Sequence, residues 1–548
     1  MYLTAITTCV NFINMKITGA DILIKELMRQ GVDTVFGYPG GYVIDIYDEL
    51  YKNADNIRHI LPASEQGAAF AANAYARITD KPSVVLATGG PGATNLVTGI
   101  AAAYLDSVAV IFITGNVSVP MLGQDSFQDI DIVGCTLPIV KHSYIVKDIC
   151  HLQWIIAEAF QIANTGRKGP VHIDIPKNVQ QGTYDYDPNL KLSEPAKRHS
   201  DLSALDKAVS LIEKSKRPYI YSGGGVTATN TGDLIIKLSE MTGAPIGMSL
   251  MGIGSVPASY YNNLGMSGMF GTEAAVTAMR EADLIIALGV RFSDRATGSA
   301  GKFAENTSVI HIDIDPAEIG KNIQPDVCLC GDLRDILPAL LEKLSDMQLS
   351  IDEKKQTRIS ESPRSDNLTP QNIISAVNGH YDENTVVTTD VGQHQMWVAQ
   401  NYRFEKPKTL LSSGGLGAMG YGLGAGVGAS LAHGGKRTVL FTGDGSFLMN
   451  LSELKTAVTH KLPITIILFN NGTLGMVRQM QTLSFDKHYS STTLENNTDY
   501  PALAKAFGAA GCTVNNITEL KDALEKAPLD RPYLIECKID IDEIVETS

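Results

Sequence analysis

A chain of 548 residues is too long for one hydrophobic core, so roughly two to four domains are expected. Its apolar fraction of 44% and charged fraction of 19% are those of an ordinary globular protein. A net charge of −14 with no cluster of Lys and Arg argues against nucleic acid as the main partner, and no apolar run is long and charge-free enough to span a bilayer.

The first fourteen residues, MYLTAITTCVNFIN, lack the basic start and long apolar core of a signal peptide. Residues 1–15 therefore read as an N-terminal extension ahead of a natural start at Met15. From Lys16 the chain alternates β-rich runs (TVFGYP, SVVLAT, VAVIFITG, VHIDIP) with helical stretches (GADILIKELMRQG, EQGAAFAANAYARIT, TNLVTGIAAAYLDS). That alternation predicts a parallel sheet wrapped by helices over 16–185. The polar segment YDYDPNLKLSEPAKRHSDL reads as a linker, and a second α/β unit over 200–345 has strands near PYIYSG, APIGMSL, LIIALGV and VIHIDID. A charged, Ser-rich stretch from Ser345 to Thr369 reads as a second linker, and 369–548 repeats the first architecture. The expected fold class is α/β, with three doubly wound parallel-sheet domains. The seven cysteines are odd in number and lack CxxC spacing, so they read as reduced cytosolic thiols, not as disulfide or zinc ligands.

Three places carry chemistry. Glu65 opens an Ala-rich, amphipathic helix, where the helix dipole alone would favour an acid. In the middle unit, the glycine run Gly223, Gly224 and Gly225 follows a strand and permits close approach of a phosphate, while Asp313 after another strand can hold a ribose hydroxyl. Over 440–471, the runs VLFT and ITIILF flank a stretch of helical periodicity, LSELKTAVTHKL. Two parallel strands joined by a helix place both following turns at one sheet edge. Asp444, between Gly443 and Gly445, then meets Asn471 and the free carbonyls of Gly472 and Thr473. Hard oxygens at such an edge suit Mg²⁺ and a diphosphate.

This GDG…NN spacing resembles the thiamine diphosphate (ThDP) motif, in which the Asp, the second Asn and a backbone carbonyl two residues on hold the metal. That implies Asp444, Asn471 and Thr473 as metal ligands. A more specific resemblance extends in order over nearly the whole chain from Lys16. VFGYPGG (35–41), TGGPGATNLVTGIAAAYLDS (88–107), DSFQDIDIVG (125–134), KGPVHIDIPKNVQ (168–180), GVRFSDRATG (289–298), HIDIDPAEIGKN (311–322), VGQHQMWVAQ (391–400), SSGGLGAMGYGLGAG (412–426) and NNGTLGMVRQ (470–479) look like the acetohydroxyacid (acetolactate) synthase large-subunit family.

The resemblance implies a ThDP-binding fold in the first and third domains and a Rossmann-like central domain. It implies a cytoplasmic transferase of branched-chain amino acid biosynthesis that decarboxylates pyruvate and joins it to a second 2-oxoacid, giving 2-acetolactate. Glu65 would be catalytic, bonding the pyrimidine ring of ThDP so that the cofactor's own amine takes the thiazolium proton. Gln393, His394, Gly445 and Ser446 would hold the diphosphate, and Met419 would prop the cofactor in its bent form. Tyr38, Gly41, Phe127, Gln128, Arg295, Met476 and Met480 would line the substrate cleft. Gly223, Gly224, Gly225, Arg291, Asp313 and Asp332 would bind FAD, in a structural role. Implied partners are small 2-oxoacids, a second copy in a homodimer or dimer of dimers that shares its sites, and a small regulatory subunit.

Departures from the family pattern bear on these expectations. Phe270 stands for a common His and Ser293 for an Asp, both bearing on flavin affinity. Met480 replaces the usual Trp and predicts a weakened preference for 2-oxobutyrate as acceptor. Ala63 and Ser64 replace Arg-His ahead of Glu65, and the tail EIVETS is short, both bearing on turnover and water exclusion. The alternatives are another ThDP enzyme, such as a pyruvate oxidase or 2-oxoacid decarboxylase, or a non-catalytic paralogue.

Overall fold

A computed structural model of the protein describes residues 15–194, 200–298, 303, 307–345, 365–495 and 497–546. All but Met15 of the expected N-terminal extension, Cys9, and most of the charged segment 345–369 lie outside the described residues.

Three parallel six-stranded sheets organise the chain. The first runs Arg58–Ile60, Thr34–Tyr38, Ser83–Ala87, Val110–Asn116, Val171–Pro176, His142–Ile145. The third runs Leu410–Leu411, Val386–Thr389, Thr438–Gly443, Ile464–Asn470, Tyr533–Lys538, Ala510–Val514. Numbered along the chain within each unit, both have the order second, first, third, fourth, sixth, fifth, so the last unit repeats the topology of the first. The middle sheet runs Asn263–Met266, Ile246–Met248, Pro218–Ser222, Leu284–Leu288, Ser308–Asp313, Val327–Cys330. Its order, third, second, first, fourth, fifth, sixth, is that of doubly wound dinucleotide-binding folds. Central strands such as SVVLA and LIIAL are buried at every position, as strands covered by helices on both faces must be.

Two expectations need correction. The segment read as a linker from Tyr184 begins as a strand: Thr183–Tyr186 pairs antiparallel with Met15–Thr18, tying the start of the first unit to its end. The helix Glu65–Thr79 is not amphipathic in the sense of one buried face, since Gly67 to Ala74 and Ala76 are all buried. It lies between its own sheet and the helix Tyr421–Ala432 of the third unit, and residues of both units share one apolar core. Small side chains allow that approach: a Cβ on Gly428 would lie 1.9 Å from the backbone oxygen of Ala71. Gly428→Val is therefore expected to destabilise the protein by about 1–3 kcal/mol, measured by chemical unfolding. Among the described residues, no helix is long and apolar enough to cross a membrane.

Candidate active site

The residues singled out above fall into three groups, each at the carboxyl edge of one parallel sheet, where ligand crevices form in such folds.

In the first unit, Glu65 is the first residue of its helix, and the Ser64 hydroxyl caps that helix by accepting from Gly67 N at 3.0 Å. Asn95 Nδ2 donates to Glu65 Oε2 at 3.0 Å, and the Cα of Gly92 passes close enough that a Cβ there would meet Glu65 Oε1 at 3.2 Å. The Tyr47 hydroxyl nearby has its pKa raised, by burial first and by the charge of Glu65 second. Tyr38 ends its strand partly exposed, and the carbonyl of Gly41 accepts from Lys177 Nζ at 2.9 Å. Phe127 is 80% exposed, its carbonyl held by the Tyr42 hydroxyl at 2.6 Å. Gln128 has φ 62° and packs against Gly90, where a Cβ would come within 2.7 Å. Glu65, Asn95 and Gln128 thus flank one glycine turn at 89–92.

In the third unit, the strands Thr438–Gly443 and Ile464–Asn470 are adjacent and parallel, so Asp444 and Asn471 emerge side by side. Asp444 opens a short helix, Asp444–Met449, where the sequence suggested a turn. It is buried; Oδ1 accepts from Gly445 N and Oδ2 from Gly472 N, both at 2.9 Å. Asn471 Oδ1 accepts from Thr473 N at 3.2 Å, and Nδ2 donates to Gln393 Oε1 at 3.4 Å. The expectation of a free Gly472 carbonyl is overturned, because it accepts from Leu494 N at 2.8 Å. The Thr473 carbonyl remains as the backbone donor of the proposed set. One carboxylate, one amide oxygen and one carbonyl suit Mg²⁺ once phosphate oxygens and water complete its shell. Among the described residues, no group of three or more His, Cys, Asp and Glu could hold a metal by itself.

His394 supports the same reading. Burial pushes its pKa down to about 3, the carbonyl of Asp390 opposes this, and its Nε2 is buried without a hydrogen-bond partner. An orphaned polar atom costs about 1–3 kcal/mol, so a ligand group at this nitrogen fits. Ser446 Oγ donates to Val391 O at 2.9 Å, closing the loop 391–394 over the Asp444 helix. Gln393 is already engaged: its Nε2 donates to Gln479 Oε1 at 3.0 Å and to Glu543 O at 2.8 Å. Gln479 in turn binds Val545 in both directions, and Trp397 Nε1 donates to Ile544 O. Residues 543–545 therefore pack against the same helices that carry Gln393 and Gln479. Met419 precedes Gly420, whose φ of 85° turns the chain into the helix Tyr421–Ala432. On the helix Gly475–Ser484, Met476 packs against the core of the third unit while Met480 is 42% exposed.

A residue the sequence did not mark holds these segments together. Asp390 is buried, with its pKa pushed up to about 6 by that burial. Its Oδ1 accepts from Gly422 N at 3.1 Å, its Oδ2 from Thr442 Oγ1 at 2.9 Å, and its own N–H donates to Phe441 O. One carboxylate thus fixes the loop with His394, the turn after Met419 and the strand leading to Asp444. A single acid at a strand end has no spacing signature that would reveal it.

In the middle unit, the loop at Gly223 and Gly225 crosses Gly289 so closely that a Cβ on Gly223 would lie 2.1 Å from its oxygen. Gly224, beside them, opens the helix Gly224–Thr229 against Met251. Asp313 is buried with its pKa raised to about 6 by desolvation, and its Oδ1 accepts from Asp315 N at 2.9 Å. Asp332 is held by Arg334 at 2.6 Å. Arg291 is lowered in pKa by burial and by Arg167, with Asp106, Glu318 and Asp313 opposing. The three units meet here: Arg167 Nη1 donates to Glu318 Oε1 at 2.6 Å, and Gly415 N donates to Asp106 Oδ1 at 2.7 Å. Asp106 Oδ2 is buried without a partner, so the junction is polar and has acceptor capacity to spare. Arg295 is exposed, touching Met269 Sδ at 3.7 Å. Phe270 packs its ring against the core of the third unit, and Ser293 makes no side-chain cap to the helix it precedes.

Comparison with known proteins gives a consistent result. Residues 17–135 match the family model of the thiamine pyrophosphate enzyme N-terminal TPP binding domain, 205–340 the central domain and 390–537 the C-terminal TPP binding domain. The acetolactate synthase isozyme 2 large subunit of Escherichia coli is 43% identical over 529 residues, covering 95% of both chains. The isozyme 1 large subunit of the same organism is 41% identical, covering 97% of this chain and 95% of its own. A probable acetolactate synthase large subunit of Methanocaldococcus jannaschii is 41% identical, covering 95% of this chain and 92% of its own.

Proposed function

We propose, from the premise that this chain belongs to the thiamine pyrophosphate enzymes and among them to the acetolactate synthase large subunits, that it condenses two molecules of pyruvate into 2-acetolactate with loss of CO₂. The observation that carries the reading is the presence, in a chain similar to these synthases over nearly its whole length, of Glu65 at one sheet edge and the Asp444–Asn471 pair at another. Bound ThDP supplies the electron sink for decarboxylation and the carbon nucleophile for the new bond.

The chain's own residues bind, orient and exclude water. Asp444, Asn471 and the Thr473 carbonyl hold Mg²⁺ and through it the diphosphate, with His394 Nε2, Gly445 and Ser446 around the phosphate oxygens. Gln393 joins them from its contact with Gln479 and the tail. Glu65 accepts a hydrogen bond at the pyrimidine ring, oriented by Asn95, and Met419 supports the ring system from the Gly420 turn. Tyr38, Gly41, Phe127, Gln128 and Met476 shape the cleft, and Arg295 draws the 2-oxoacid carboxylate by charge. The close crossing of Gly223 and Gly225 over Gly289, with Arg291, Asp313 and Asp332 around it, suits FAD in a structural role.

In one chain Glu65 is bound by Asn95 and Asp444 by Gly445 and Gly472, each within its own unit. We take the working unit to be a homodimer in which Glu65 of one copy meets Asp444 and Asn471 of the other, acting in the cytoplasm. The relatives' names, large subunits, support a small regulatory partner as well.

Purified protein with ThDP, Mg²⁺, FAD and pyruvate should yield acetolactate when acetolactate, acetaldehyde and acetate are assayed together. Acetaldehyde or acetate without acetolactate would overturn the reading. Half-exposed Met480 is a flexible wall for the acceptor, and such pockets discriminate one methylene by only about 1–3 kcal/mol. In competition between pyruvate and 2-oxobutyrate, Met480→Trp is therefore expected to raise the acetohydroxybutyrate share roughly tenfold. An unchanged product ratio would show that Met480 does not set the acceptor.

A further inference from the structure

The Glu65 helix is anchored from a direction its own unit does not supply. Glu453 opens the helix Glu453–Thr459, which lies within the crossover between the Asp444 strand and the Asn471 strand. It reaches across to the first unit and is 1% exposed. Its Oε1 accepts from Ser64 N at 3.0 Å and Ser64 Oγ at 3.1 Å, and its Oε2 from Ala63 N at 3.2 Å and Thr456 Oγ1 at 2.7 Å. Gly67 keeps the way clear, since a Cβ there would stand 2.0 Å from Glu453 Oε1.

A buried carboxylate is a costly way to pack two helices, and burial does raise its pKa. Its contacts compensate because all four are donors, which an ionised carboxylate can satisfy and an amide cannot. Three of those donors belong to the two residues immediately before Glu65. The same Ser64 hydroxyl that donates to Glu453 accepts from Gly67 N, so the carboxylate sets the helix cap and with it the starting direction of the Glu65 side chain.

We propose that Glu453 is a positioning residue for Glu65, locking the helix that carries the catalytic carboxylate to the unit that carries the metal residues of the same chain. This rests on the role given to Glu65 above. With sites shared between copies, the clamp joins the metal half of one site to the Glu65 half of the other.

Glu453→Gln keeps the shape but turns one acceptor into a donor, which then faces either the Ser64 N–H or the Ala63 N–H. Three readouts separate positioning from folding: amide hydrogen exchange at 63–67 in the cofactor-free protein, ThDP affinity, and the exchange rate of the thiazolium C2 proton of bound ThDP by quenched NMR. The expected result is faster amide exchange at 63–67, unchanged ThDP affinity and C2-proton exchange slowed roughly 10- to 100-fold. Thr456→Val, which removes one partner of Oε2 but keeps the carboxylate, should slow it less, and it decides the matter alone if the glutamine variant does not fold. C2-proton exchange at the wild-type rate, or slowed only in step with lost ThDP affinity, overturns the proposal. If the unaltered protein makes no acetolactate, the proposed function falls, while C2-proton exchange still judges the clamp.

Discussion

Glu65→Gln should reduce acetolactate formation by roughly 10²- to 10⁴-fold, the usual span for removing one general acid–base group. The physical reason is local. Glutamine fills the same volume at the head of the helix and can keep a hydrogen bond with Asn95, so the fold is not disturbed. It cannot hold the negative charge that favours a protonated pyrimidine nitrogen. ThDP and Mg²⁺ affinity should stay within a few-fold of the unaltered protein, because the groups assigned to the diphosphate lie on another sheet edge. Steady-state kinetics and calorimetric titration with ThDP check the two halves. Lost ThDP binding together with lost activity would place Glu65 in cofactor anchoring instead.

Asp444→Ala should have the opposite signature. Asp444 is buried and holds the N–H groups of both Gly445 and Gly472, so its removal frees the two turns whose separation defines the metal position. Loss of a neighbour of a metal ligand typically costs 10- to 100-fold in affinity, so loss of the one charged ligand should weaken Mg²⁺ and ThDP binding by more than about 100-fold. Excess cofactor should restore little activity. Mixing and reassembling the Glu65→Gln and Asp444→Ala proteins adds a test of assembly. If two copies share each site, half of the random dimers are mixed and each carries one intact site, so activity should return to about a quarter of the unaltered level. No recovery from dimers shown to have exchanged subunits would place both residues in one chain's site.

These residues differ in how legible they were before the fold was known. Asp444 and Asn471 were readable because a βαβ unit has one geometry: parallel adjacent strands must deliver their C-terminal residues to the same edge. Glu65 was readable as a helix start, since the helix dipole favours an acid there and an Ala-rich run follows. The central strands were readable from continuous apolar runs, which occur where both faces are covered. The order of strands within each sheet was not, because it depends on which crossovers pack together.

What escaped the sequence depends on contacts between distant segments. Asp390 and Glu453 are single acids without periodic company, and their roles come from distant donors such as Gly422 N, 32 positions from Asp390, and Ala63 N, 390 positions from Glu453. The Gly472 carbonyl looked free because its partner, Leu494 N, lies beyond a helix and a loop. The Ala-rich helix looked amphipathic because a third-unit helix covering its other side leaves no mark in its own sequence. The tail reads in sequence only as bearing on turnover and water exclusion; that Val545 is buried against Gln479 and Glu543 O accepts from Gln393 depends on helices far from it in the chain.

The most direct test of the account is the stoichiometry of CO₂ against pyruvate with the purified protein, ThDP and Mg²⁺. A carboligase that joins two pyruvates releases one CO₂ for every two consumed, and all the remaining carbon appears as acetolactate. One CO₂ for each pyruvate consumed, with the carbon recovered as acetaldehyde or acetate, would contradict it.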